Sequence, residues 1–201
     1  SPCRVRRVLP CAAPGRRADL KRAILRQALH SFNVEGIDST TIEGIRSECG
    51  ASVGAVYHHF KSKEGLVAAL FYAALDDQES LRDEYLNNAV SVEGGIRALV
   101  YSYVDWVDDQ PEWARFVLQA RSSVATGPFK EDLAARNKQR NKNLLVRMSN
   151  LGADELLSHI PAELLPSLII GQSESYSRAW LSKRVEKSPR DYREHLGNAA
   201  W

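Results

Sequence analysis

Between residues 40 and 63 the chain sets hydroxyls, small residues, histidines and lysines at spacings suited to holding an anionic polymer. Thr40 and Thr41 open a short helical segment, where a hydroxyl and the helix dipole favour an anion. Thr40 also stands three residues ahead of Glu43, the spacing of a capping box. Ser52 has the type and place of an N-cap for a second short helix, whose free N–H groups can face phosphate. Behind it, Val53, Gly54 and Ala55 are apolar or small, so this helix can approach a duplex closely, and Ala55 is placed to touch a thymine methyl. Tyr57 carries a hydroxyl at the end of a rigid ring, and Lys61 and Lys63 add positive charge where the chain leaves the segment. His58 and His59 are adjacent, hence about 100° apart on a helix. With no partner at the i+4 position no metal site is expected, and His58 is the one expected to face nucleic acid.

The elements that must position these residues are helices. Leu20, Ile24, Leu25, Ala28, Leu29 and Phe32 follow three- and four-residue spacing from Ala18 to Asn33, and Gly36 supplies a stop. A short helix ends near Cys49 at Gly50, and a second runs from Ser52 to about His59. Two brief helices joined by a tight turn, with a third before them, form a helix-turn-helix pattern, the second short helix being the reader of a major groove. Such helices are unstable alone, so Ile42, Ile45, Val56 and Phe60 must pack against the flanking helices.

The stretch Ile24-Leu25-(x2)-Ala28-Leu29-(x2)-Phe32-(x3)-Gly36-(x3)-Thr40-Thr41-Ile42-(x2)-Ile45 resembles the start of a TetR-family transcriptional regulator. The continuation Gly50-Ala51-Ser52-Val53-Gly54-Ala55-Val56-Tyr57-His58-His59-Phe60-Lys61-Ser62-Lys63-Glu64-Gly65-Leu66 is similar to that family's most diagnostic segment. The resemblance covers residues 24–71; Arg46, where the family usually has a small residue, and Gly44, inside a two-turn helix, depart from it. It implies a duplex operator contacted by Thr40, Thr41, Ser52, Val53, Gly54, Ala55, Tyr57, His58, Lys61 and Lys63. It also implies a helical body that binds a small effector and pairs with a second copy. A homodimer would set two reading helices about 34–36 Å apart on a near-palindromic site. The implied activity is repression, released when the effector favours a spacing of reading helices that no longer fits.

The expected fold is therefore all-α: an irregular basic arm over 1–17, a three-helix DNA-binding domain over 18–64, and a larger helical effector-binding and dimerisation domain over 65–201. Helices are expected around the stripes of Ile96 to Val107 and Trp113 to Val124, from Phe129 to Leu151, from Ala162 to Lys183, and from Ser188-Pro189 to Trp201. Charge follows the same division. The chain carries a net +2, but residues 1–65 hold 11 Lys/Arg against 6 Asp/Glu, whereas 66–201 hold 16 against 19. A basic front on a mildly acidic body suits an anion-binding module joined to something else. The arm reads either as a solvated tail or as a reach toward phosphates.

In the body, Trp106, Trp113, Phe116, Tyr101 and Tyr103 cluster around the Pro111 bend as a core or a ligand chamber, with Gln119 and Arg121 as its polar anchors in the second case. Asn137 and Arg140 interrupt an apolar face of the long helix, either lining a pocket or marking a solvated middle. Gln172 and Tyr176 belong to a stripe with Leu165, Leu168, Ile169 and Ala179, which by the resemblance would face ligand or partner. Three cysteines at 3, 11 and 49 make no CxxC and no metal spacing, which suits a reducing cytoplasm. No G-x-S-x-G, HExxH or phosphate loop is present, so no enzyme and no cofactor is expected. No apolar run approaches the roughly 20 residues of a membrane span. The alternative to an effector-released repressor is a helical interaction module, or a regulator that ignores small ligands.

Overall fold

Several helix boundaries fall at a residue that caps a helix or turns the chain out of one. In the computed structural model, which describes residues 15–161 and 163–201, α1 (Arg16–Glu35) ends at Gly36 with φ 88°. α2 (Ile42–Cys49) ends at Gly50, whose left-handed φ of 65° reverses the chain toward α3 (Val53–Phe60). α4 (Lys63–Leu86), α5 (Val92–Asp109), α6 (Pro111–Thr126) and α7 (Lys130–Asn150) follow. Then come α8 (Asp154–Ser158), α9 (Leu165–Leu181), a 3-10 turn (Pro189–Tyr192) and α10 (Arg193–Ala200). Every element among the described residues is helical.

Some boundaries differ from the periodicity. α1 starts at Arg16, so Arg16 and Arg17 are helical rather than part of the arm; the arm up to residue 14, with Cys3 and Cys11, lies outside the described residues. The helix expected from Ala162 begins at Leu165, with Pro166 in its first turn, where a missing N–H is tolerated. The last helix is split: the Ser188 N–H donates to the Asp191 carboxylate at 3.1 Å, and a 3-10 turn precedes α10.

Contacts divide the described chain into two compact units, one of residues 15–76 with Glu112–Ala134, the other of Asp77–Pro111 with Ala135–Trp201. Packing around the helix-turn-helix thus does not stop at residue 64. In the first unit Ile24, Phe32, Ile45, Val56, Leu66 and Leu70 are fully buried. Phe116 of α6 stacks on Phe32 of α1, centroids 5.8 Å apart and planes 16° from parallel. Asn33 near the end of α1 donates to the Glu112 carbonyl at 3.1 Å. Two-turn helices bury too little by themselves, so α1, α4 and α6 together supply the apolar surface.

In the second unit Leu86, Ile96, Leu99, Met148 and Ala153 form a core with Leu144, Leu151 and Ile169 against it. Beside it lies a polar knot at Asp105, which is 8% exposed. Arg190 reaches Asp105 at 2.8 Å and Asp108 and Asp109 at 2.7 Å, Arg193 reaches Asp105 at 3.2 Å, and the Tyr85 hydroxyl donates to the same carboxylate. Burial and then Asp105 push the Tyr85 hydroxyl up to about 12. Burial works against the charge of Arg190, yet its bonds to Asp105 and Asp109 hold the guanidinium above its usual value. These donors together satisfy a carboxylate that is almost wholly withdrawn from water.

Among the described residues no helix is long and apolar enough to cross a membrane. Truncating Phe116 to alanine should lower stability by about 3–5 kcal/mol, read as a fall in the urea midpoint. Gly44→Ala should do the reverse, adding up to ~1 kcal/mol of helix propensity. A β-carbon there meets only Thr41 Oγ1, at 3.4 Å, which is ordinary contact.

Candidate nucleic-acid interface

The direction of α3 is set at both of its ends. At the start, Ser52 Oγ accepts from the Ala55 N–H at 3.1 Å, as a cap should. At the end, Lys61 has φ 66° and ψ −41°, and the Ser62 N–H donates to the Phe60 carbonyl at 2.8 Å. That is a γ-turn of positive φ, a rare and strained connection. It is held because α4 begins at once: Ser62 Oγ accepts from the Gly65 N–H at 3.1 Å. A β-carbon at Gly65 would lie 2.0 Å from the Phe60 carbonyl oxygen, so this close passage requires glycine.

The exposed side of α3 holds Ser52, Val53, Gly54, Tyr57, His58 and Lys61, with Ala55 and His59 half-buried and Val56 and Phe60 in the core. Positions 53, 54, 57, 58 and 61 share one helical face. His59 stays below its usual value of 6.5, first through burial and then through His58, Lys21 and Arg17. Lys21 of α1 also places its ammonium 5.9 Å from the Phe60 ring centroid. α1 therefore adds cations near the end of the reading helix. The sequence reading did not join these two places, because it left Arg17 in the irregular arm; with α1 starting at Arg16, Arg17 and Lys21 lie four residues apart on one helix.

Three expected contacts, Thr40, Thr41 and Lys63, are used inside the fold. Thr40 is 1% exposed, and its hydroxyl donates to the Gly36 carbonyl at 2.8 Å. Thr41 is the actual cap of α2, its Oγ1 accepting from the Gly44 N–H at 3.1 Å. Glu43 therefore does not close a box with Thr40; it pairs with Arg46, Nε to Oε2 at 2.7 Å. The hydrogen bond from Arg46 lowers the Glu43 pKa, and the same bond raises that of Arg46. Arg46 lies along the surface of α2 while Ile45 is buried, so this departure leaves the packing intact. Lys63 Nζ donates to the carbonyls of Ile37, Asp38 and Thr40 at 3.0, 3.1 and 3.1 Å. It ties down the loop before α2, whereas Lys61 is exposed.

The ligand candidates do not gather into one chamber within either unit. Phe116 and Trp113 are core, and Gln119 is exposed. In the second unit Trp106 is 2% exposed, with its indole N–H on Asp77 at 2.9 Å. Arg140 pairs with Glu79 of α4 at 2.8 Å, while Asn137 is exposed. Gln172 is exposed, and Tyr176 donates to the Lys187 carbonyl at 3.1 Å while meeting the Tyr192 ring edge-on. An open cleft of about 500 Å³ lies elsewhere in that unit, lined by Leu145, Val146, Leu157, Ile160 and Leu165 with Ser149, Asn150, Asp154 and Ser158. Among the described residues no three His, Cys, Asp or Glu side chains gather as a metal site.

The two lysines can be separated by experiment. Lys63→Met should lower the stability of the free protein by about 1–3 kcal/mol, because three carbonyls lose a charged donor. Lys61→Ala should stay within about 0.5 kcal/mol of the parent in the same urea titration.

Comparison with known proteins bears on the same stretch. Residues 24–70 match the model of bacterial regulatory proteins, tetR family. Over 47 residues the chain is 49% identical to the HTH-type transcriptional regulator YerO of Bacillus subtilis (strain 168), covering 23% of this chain and 16% of that one. Over 94 residues it is 31% identical to the HTH-type transcriptional repressor KstR2 of Rhodococcus jostii (strain RHA1), covering 47% and 44%. Each match spans less than half of the relative's length. A TetR family transcription regulator from Marinobacter aquaeolei VT8 shares the fold with a TM-score of 0.75 at 22% identity, over 92% of this chain and 95% of that one. The helix-turn-helix at 24–70 is thus the one described for bacterial regulatory proteins of the tetR family, and the fold along the chain is the fold of a solved regulator of that name.

Proposed function

We propose that this protein is a sequence-specific, duplex-binding transcriptional regulator that works as a homodimer and leaves its operator when a small effector binds. The observation that carries the DNA-binding part is the free face of α3, where Ser52, Val53, Gly54, Tyr57, His58 and Lys61 stand exposed over a core of Val56 and Phe60. The tetR-family match over residues 24–70 supports the same assignment. Small side chains admit the helix to a major groove, the Tyr57 hydroxyl and Lys61 ammonium suit phosphates, and Thr41 and Ser52 hold the two N-termini that face the backbone. In this reading 18–64 is the DNA-binding part, leaning on α4 and α6 for its core, and 65–201 carries effector binding and pairing.

Pairing is supported by apolar surface left open on α9. Leu168 is 51% exposed, and Leu164 just before the helix is 47% exposed. The stripe runs on through the exposed Gln172, while Ile169, Tyr176 and Ala179 are half-buried. A second copy with the same stripe is the partner this reading names. The relatives' names, an HTH-type transcriptional regulator and an HTH-type transcriptional repressor, support action on transcription.

Selection of the full chain against a random duplex library, followed by sequencing, tests the DNA-binding part. A near-palindromic site should emerge with half-sites about one duplex turn apart; a folded protein that enriches no sequence would refute it. On that site Tyr57→Phe should weaken binding by about five-fold irrespective of base sequence, the worth of one hydrogen bond to phosphate. Lys61→Ala should reduce the slope of log affinity against log salt by about one. An effector, by reciprocity, must both raise the thermal midpoint of the free protein and loosen the duplex.

A further inference from the structure

Val53 is the first residue of α3 and remains 42% exposed, although valine at that position serves no core in this unit. The residues that anchor the helix are Val56 and Phe60, both at most 5% exposed. The surroundings of Val53 leave it approachable. Ser52 is committed to the cap, and a β-carbon at Gly54 would meet nothing nearer than Ser52 Oγ at 4.0 Å.

The composition of the helix narrows what it can read. From Ser52 to Phe60 there is no Arg, Lys, Asn or Gln, the types that recognise guanine or adenine through paired hydrogen bonds. Within that span, apart from the capping Ser52, Tyr57 and His58 are the exposed polar side chains. Among base edges in the major groove, thymine alone presents a methyl group, and apolar side chains are what it contacts. Residues at the start of the second helix are those that reach base edges when a helix-turn-helix docks. Ala55, which the sequence also offers for this contact, is half-buried and off the shared face.

We propose that Val53 is a specificity-determining residue, reading the 5-methyl group of a thymine in each operator half-site. The inference rests on the duplex-binding reading above. Exclusion of water between valine and thymine methyls supplies the preference, with no hydrogen bond involved. Specificity at that position is therefore for the methyl itself rather than for the A·T pair.

The test uses the full chain and a duplex recovered by selection, with each thymine replaced singly by deoxyuridine, which keeps pairing and removes the methyl. One position per half-site should lose about four-fold in affinity for the parent protein, the worth of one buried methyl. Val53→Ala should bind the unsubstituted duplex more weakly and lose that discrimination. If no thymine is sensitive, or if the penalty persists in Val53→Ala, the inference is wrong while duplex binding stands. If no duplex is enriched at all, the duplex-binding reading fails and takes the inference with it.

Discussion

The backbone of α4 passes the end of α3 so closely that the carbonyl of Phe60 lies where any side chain at Gly65 would begin. That contact requires the positive-φ turn at Lys61, which otherwise has no reason to persist in a lysine. It joins the reading helix directly to α4, the longest helix among the described residues. The orientation of α3 is consequently set by backbone packing rather than by loop length. Lys63, on the first turn of α4, extends the same control to α2 by holding the carbonyls of Ile37, Asp38 and Thr40. A helix-turn-helix whose two helices run eight residues each depends on such fastenings, because neither holds its shape alone.

The second unit solves a comparable problem with charge. Its 3-10 turn and α10 are short, and Arg190 and Arg193 fasten them to Asp105 of α5. The arrangement costs desolvation of the carboxylate, and only several donors at once offset it. Gly197 of α10 allows a close approach there, since a β-carbon would stand 2.7 Å from the Tyr101 ring. In the same unit the apolar side chains of Leu164 and Leu168 remain exposed.

The aromatic residues of the body show how burial competes with function in a sequence reading. Trp106, Trp113 and Phe116 fit a ligand chamber and a core equally well as a pattern, because both demand large apolar surface. The packing decides for core: Phe116 is stacked on Phe32, and the indole N–H of Trp106 is satisfied by Asp77. Arg140, an apparent interruption of an apolar face, is explained by Glu79 of α4, a partner 61 residues away. No local spacing signals a pairing of that range.

Much of this protein was legible in one dimension. Helical periodicity, Gly36 and Gly50 as stops, Ser52 as a cap and the run from Gly50 to Leu66 determined an all-α chain with a helix-turn-helix near its start, since these effects act within a few residues. What adjacent side chains do with their polar groups was decided only in three dimensions. Thr40 and Thr41 are indistinguishable by type, yet one is buried against Gly36 and the other caps α2. Lys61 and Lys63 read as a pair of phosphate contacts, yet one is free to meet solvent and the other lies among three carbonyls. The reason is that a helix face is set by sequence spacing, whereas its partner is set by whichever distant segment the core draws against it.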